Sequence, residues 1–367
     1  MKILHINSAK YWGGGEVYTF TLCQRLKTKG HEVVLACRPT SAIGEVFKEN
    51  GISILELPLK GAADIKSAQK LAAYCRQNGI DIVHAHLARD YWIASFLKFF
   101  YSKIRLVFTR HLLNPIPSTF LRRLILKKVD KVIAVSEAVK DELIKQNLFP
   151  ASRIIRIYNG IDVGRFESAK PGKIRKELGL NEHNKLIGTV GQISPHKGSD
   201  IFIKSAAEIA KSYPDAKFIL VGDDFRNGEY IQELTQLSIE LGIGDQVIFL
   251  GPRSDIPEVM KDLDIFVLAS RNESFGLVIT EAMSAGVPVI VTKAGGAKEI
   301  VDETTGLLVD VEQPAALVAA IESLLKNESL AKQFGNAGRV RAIKMFGLDR
   351  MVDEIMAVYN EVLLNAE

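Results

Sequence analysis

Residues 265–301 read IFVLASRNESFGLVITEAMSAGVPVIVTKAGGAKEIV. The run at 265–269 is continuously apolar, which predicts a strand buried on both faces. A loop follows with Glu273, Phe275 and Gly276, and the spacing predicts a helix from about Leu277 with Glu281 on its second turn. A second apolar run at 289–292 completes strand, helix, strand. Such a loop-to-helix junction aims free backbone N–H groups and a positive dipole end beyond the strand, where a diphosphate would suit. A carboxylate ahead of the junction can accept from sugar hydroxyls, and one on the helix can accept a vicinal pair from a ribose. Spacing alone also allows two solvated acids flanking a helix start.

Outward from this segment the alternation continues. Strand-like runs lie at 186–191, 218–222 and 247–251, and a second series at 3–6, 33–37, 52–57, 82–85, 106–109, 132–135 and 154–157. Between them are amphipathic stretches such as 17–29, closed by Gly30, and 137–146, opened by Ser136 at an N-cap position. The pattern predicts an α/β protein of βαβ units with parallel sheets. Residues 167–186 are polar, contain Pro and Gly and lack strand character, so they are expected to form a linker between domains at 1–167 and 168–347. Open α/β sheets bind ligands at the carboxyl ends of their strands, which makes a cleft between the domains the expected site.

At 367 residues, 47% of them hydrophobic and 25% charged, the chain is too long for one core. No run approaches the roughly 18 apolar residues of a spanning helix. The start, MKILHINSA, reads as a first strand and not as a signal peptide. Cys23, Cys37 and Cys75 have no metal-like spacing and favour reduced thiols in a cytoplasmic setting. The net charge of +4 hides an asymmetry: residues 1–167 hold 26 Lys+Arg against 14 Asp+Glu, and residues 168–367 hold 21 against 29.

The string from Glu273 through Phe275, Gly276, Leu277, Val278 and Glu281 to Gly295-Gly296-x-x-Glu299 resembles the donor-site signature of retaining glycosyltransferases of family 4. That family has the GT-B fold, two Rossmann-like domains facing across a cleft, with a C-terminal helix, here expected over 348–367, crossing back to the N-terminal domain. Gly13-Gly14-Gly15-Glu16, expected directly after the first strand, resembles the family's GGxE turn, and Thr109-Arg110-His111 its TxH element. His84 and His86 resemble a less uniform element; strand alternation is expected to turn one inward and the other outward. Gly191-Gln192 through Lys197-Gly198 is similar to a motif whose Arg and Lys hold the diphosphate, with Gln192 replacing the Arg. A neutral amide brings no charge to the leaving group, so its stabilisation is expected to rest on Lys197 and the helix start near Leu277, with Arg271 or Arg253 as candidates for a further cation. Asp262-Leu-Asp264 spells a D-x-D but directly precedes a buried strand and reads as a helix end.

The resemblance implies a transferase with His111, Lys197 and Glu273 as catalytic residues. It implies donor contacts from Gly14, Gly15, Gln192, Arg253, Phe275, Gly276, Leu277, Val278 and Glu281, and acceptor-side candidates in Glu16, His84 and His86. No cofactor or metal is expected, a UDP-sugar is the expected donor, and the acceptor is expected to be a cell-envelope glycan or lipid-linked hydroxyl. A sugar-nucleotide epimerase or hydrolase, or a non-catalytic sugar-nucleotide-binding subunit, would share these features. Residues 96–131 interleave nine Lys/Arg with Phe96, Phe99, Phe100, Tyr101, Phe120, Leu121 and Leu124. That pattern suits an anionic membrane surface on the inner face of the cell membrane, or ordinary helices with solvated lysines. No nucleic-acid motif accompanies it.

Overall fold

Continuous apolar runs become the buried strands of two parallel sheets. In the first unit β1 (Lys2–Ile6), β2 (Glu32–Cys37), β3 (Ser53–Glu56), β4 (Ile82–Ala85), β5 (Arg105–Arg110), β6 (Lys131–Ala134) and β7 (Ile154–Arg156) lie in the order β3-β2-β1-β4-β5-β6-β7. In the second, β8 (Leu186–Val190), β9 (Lys217–Val221), β10 (Val247–Gly251), β11 (Ile265–Leu268), β12 (Val289–Thr292) and β13 (Gly306–Val309) lie in the order β10-β9-β8-β11-β12-β13. Each is a Rossmann-like unit whose strand order reverses once, at β1/β4 and at β8/β11. The computed structural model describes residues 1–61, 64–117, 119–224 and 226–364, without the side chains of residues 120–122. The side chains of Phe120, Leu121 and Arg122 of the expected basic face, and residues 365–367 of the expected terminal segment, thus lie outside what is described.

The units comprise residues 1–160 with 348–367, and residues 161–347. The boundary thus falls seven residues earlier than expected, and 167–186 is not a free linker. It carries the short helices Val163–Ser168 and Lys173–Glu177, and Asp262 holds the second by its start. The Asp262 carboxylate accepts from the backbone N–H of Gly172, Ile174 (2.6 Å) and Arg175 (3.1 Å). Asp264 accepts from Arg175 at 2.6 Å and from the Leu186 N–H at 2.7 Å. The D-x-D is a cap and clamp, binding a polar stretch to the strand edge.

The helix Leu348–Leu364 completes the first unit's core. Met351, Val352, Ile355, Val358, Tyr359 and Val362 recur at helical spacing and are all buried with Ile3, Leu22, Val107 and Ile133. Each such side chain contributes about 1.5–3 kcal/mol on burial. Asp349, Asp353 and Glu361 on its polar face pair with Arg25 (2.9 Å), Lys29 (2.8 Å) and Lys131 (2.8 Å).

Candidate active site

Both strand reversals lie where loops part from adjacent strands in opposite directions, opening a crevice at the carboxyl ends. In the second unit the loops after β8 and β11 meet there. Lys197 ends a short 3-10 turn, Pro195–Lys197, and its Nζ donates to Glu273 Oε2 at 2.6 Å. Gly198, at φ +69°, follows because a Cβ there would run into the Ala269 carbonyl. Glu273 is 8% exposed, accepts from Ser270 Oγ at 3.4 Å, and its carbonyl receives the Gly296 N–H at 2.8 Å. The Gly295-Gly296 turn is thereby tied to the same loop.

Gly276 caps the helix Leu277–Ala285 at φ +106°, where a Cβ would lie 2.7 Å from Ile279 Cδ1. With no side-chain cap, the Leu277 and Val278 N–H groups are left for a ligand, while the Ile279 N–H already donates to the Gly276 carbonyl at 2.9 Å. Phe275 is buried and packs edge-on against Phe346 at 5.7 Å, so its ring belongs to the core and only its backbone faces the junction. Leu277 and Val278 are half-buried on the first turn. Glu281 follows on the second, also half-buried, with no hydrogen-bond or ion partner among the described residues. Burial pushes its carboxyl up to about 7, the Arg165 charge opposing the rise.

Gln192 is exposed after β8. The two arginines that were candidates for a further cation are engaged elsewhere. Arg253 donates to Glu177 at 2.8 and 3.0 Å and to Asp255 at 2.8 Å. Arg271 grips Asp200 at 2.8 and 3.0 Å and Glu312 at 2.7 Å, clamping the loop that bears Lys197. Each guanidinium is paired with two carboxylates, so neither offers an uncompensated charge to a diphosphate.

In the first unit the loops after β1, β4 and β5 converge. The GGxE turn does not follow β1 directly: residues 7–13 intervene before the helix Gly14–Thr28 begins. Gly14 opens that helix, and a Cβ on Gly15 would lie 3.9 Å from the His111 ring. Glu16 is buried, accepts from Asn7 Nδ2 at 3.3 Å, and is pushed up by burial. His84 and His86 do not diverge. Residues two apart on a strand share a face, and both rings are buried, 4.4 Å apart.

His5, the register partner of His84, joins them, and His111 stacks on His86 at 5.8 Å while meeting the Tyr18 edge at 4.6 Å. His84 is fixed by Tyr359 Oη (2.6 Å) and Thr109 Oγ1 (2.7 Å), and His5 Nδ1 lies 2.9 Å from His86 Nε2. The signal for His5 was a lone imidazole in an otherwise apolar strand. Ring nitrogens of His5, His84 and His86 lie within 4.8 Å of one another, a spacing a metal could use, but both nitrogens of His84 are engaged. Burial lowers all four histidines, His111 to about 3 with the Arg110 charge adding to the effect. His111 is therefore a neutral hydrogen-bonding group and not an acid at neutral pH.

A cavity of about 660 Å³ lies elsewhere, beside residues 171–182 and 261–264, where Arg175, Asp262 and Asp264 bind one another or backbone.

Two Rossmann-like units, one with an uncapped helix start beside a Lys–Glu pair, are the setting of a nucleotide-diphosphate site. Residues 172–341 match the family described as Glycosyl transferases group 1, and residues 12–165 match Glycosyltransferase Family 4. The chain belongs to the family 4 glycosyltransferases, enzymes of the GT-B fold. It is 29% identical over 369 residues to N-acetyl-alpha-D-glucosaminyl L-malate synthase of Bacillus anthracis, spanning 96% of this chain and 94% of that one. It is 30% identical to the lipopolysaccharide core biosynthesis mannosyltransferase LpsB of Rhizobium meliloti, spanning 71% and 73%. Among solved structures, Anabaena HepE in complex with UDP-glucose superposes with a TM-score of 0.84 at 25% identity, spanning 98% of this chain and 100% of that one. Among the described residues no helix is long and apolar enough to cross a membrane.

Proposed function

We propose that this glycosyltransferase moves a sugar from a UDP-sugar to a hydroxyl of a cell-envelope glycan or lipid-linked acceptor, with retention of anomeric configuration. The observation that carries the donor half is the unpartnered Glu281 carboxylate one turn above an uncapped helix start, beside the Lys197–Glu273 pair. Glu281 accepts the ribose hydroxyls, the junction and Lys197 meet the diphosphate, and Glu273 receives sugar hydroxyls. The UDP-glucose complex of HepE supports a uridine donor.

As the acceptor oxygen bonds to the anomeric carbon, the bond from that carbon to the β-phosphate oxygen breaks. The diphosphate keeps the electron pair and takes the acceptor proton. Stabilising the growing phosphate charge is the main electrostatic work. With Gln192 neutral and Arg253 and Arg271 each held by two carboxylates, it falls on the backbone N–H groups and on Lys197, which has one carboxylate partner, Glu273, at the junction. His111 remains the first unit's contribution, a neutral partner for a hydroxyl.

The mannosyltransferase LpsB supports an envelope acceptor, and the malate synthase widens the class to small hydroxy acids. The membrane reading keeps a narrower patch. Lys98 and Arg105 approach Asp130 at 2.6 and 3.7 Å and Lys131 pairs with Glu361, whereas Lys103, Arg123, Lys127 and Lys128 stay exposed beside Phe99, Phe100 and Leu124.

Calorimetric titration with UDP-, GDP- and ADP-sugars tests the donor. UDP-sugars should bind, and proton NMR of the product should show the donor's anomeric configuration. Binding confined to GDP- or ADP-sugars would remove the uridine assignment. Free sugar or an epimer formed as fast without acceptor would favour a hydrolase or epimerase.

A further inference from the structure

Beside the histidine stack of the first unit is a cavity of about 220 Å³ lined by His86, Leu87, Ala88, Arg89, Arg110 and His111. We infer that this cavity binds an anionic group, a carboxylate or a phosphate, carried by the acceptor. The word acceptor rests on the transferase reading above; the anion site itself rests on the first unit alone.

Two guanidiniums line a small space, and among the described residues neither Arg89 nor Arg110 is ion-paired. Arg110 is 5% exposed and meets only neutral partners, the Asn114 carbonyl and the Tyr91 hydroxyl, so its charge is buried without an ion pair. A buried, uncompensated charge is costly, and a bound anion offsets that cost. Asp90 and Glu16 feel the Arg89 charge, but neither is within ion-pair distance of either arginine, and both are held by other donors. Asp90 accepts from the Ser8 N–H at 3.0 Å and from Ser8 Oγ, and Glu16 accepts from Asn7.

The helix Ala88–Phe100 begins in the cavity wall. Leu87 at its N-cap supplies no side-chain acceptor, so the Ala88 and Arg89 N–H groups add to the positive potential, the carboxylate of Asp90 in the same turn being held by Ser8. The second observation is on the other wall. His86 is 2% exposed and its Nδ1 has no partner; His111 Nε2 is buried and equally unpartnered. Polar atoms so placed are normally satisfied. A ligand that brings an anion to the arginines and a hydroxyl to the imidazoles satisfies both sets at once. Planar guanidiniums match carboxylate and phosphate oxygens in pairs. This chemistry describes a hydroxy acid or a polyol phosphate and not a neutral sugar.

The test is calorimetric titration of the full chain with L-malate, glycerol 3-phosphate and glycerol at constant ionic strength, with and without UDP. Wild type is compared with Arg89→Gln and Arg110→Gln. Either anion should bind at least about tenfold more tightly than glycerol, and Arg89→Gln should weaken it by about tenfold or more while leaving UDP affinity unchanged. Arg89 is exposed, so its variant remains informative even where Arg110→Gln fails to fold. Equal binding of glycerol and the anions, or undiminished anion binding by Arg89→Gln, overturns the inference. UDP is the independent arm: its failure to bind wild type would sink the donor reading while the anion result is still read.

Discussion

Glu281 changes charge within the working pH range, because burial holds its carboxyl up to about 7. The ionised form is the better acceptor for a ribose diol, so UDP affinity should rise from pH 6 to pH 8. Glu281→Gln should flatten that rise and weaken binding by about 10- to 100-fold, the worth of hydrogen bonds to a charged group; an unchanged slope in the variant would clear Glu281 of the role. Lys197→Ala should instead lower kcat by about 10²–10³, the scale of removing one stabiliser of developing charge, with a smaller effect on UDP affinity. Equal, near-wild-type kinetics in both variants would dissolve the site. The residue types at these positions were legible as a motif, but their pairings were not. Lys197 and Glu273 are 76 residues apart, as are Arg253 and Glu177, and only the folded chain shows that the first pair lies at the junction while the second belongs to a two-carboxylate clamp away from it.

Asp262→Ala tests the view of residues 167–186 as an integral part of the second unit. It removes the acceptor of three backbone N–H groups, two of them 2.6 and 3.1 Å away, and should lower stability by about 2–4 kcal/mol, read as a fall in denaturation midpoint. A loss below about 0.5 kcal/mol would mean the stretch is held by other contacts. Among the described residues twelve of the thirteen strands could be read from sequence, most of them as short apolar runs such as Val289–Thr292. β13 could not: Gly306–Val309 has four residues, starts with glycine and follows a polar turn, and it is a strand because it pairs with β12. The short helix Lys173–Glu177 escaped for the matching reason, its cap being about 90 residues away. Elements whose reason for existing lies in a distant partner leave little local signal.

Counted by the observed units, the charge division softens. The first unit holds 26 Lys+Arg and 17 Asp+Glu, a net +9, and the second 21 and 26, a net −5, because the acidic helix Leu348–Leu364 sits on the basic unit. Liposomes with anionic lipid should therefore bind the protein at low ionic strength and release it as salt rises, with Lys127→Glu/Lys128→Glu abolishing the binding. Salt-independent binding, or none at low salt, would reduce the patch to a solvated surface. The interrupted first unit also orders the protein's own synthesis. A ribosome delivers residues 161–347 as one unbroken stretch, able to fold as soon as it emerges, whereas the sheet made before it waits for Met351, Ile355, Val358 and Tyr359 to fill its open side. The half that is translated first is the half whose core closes last.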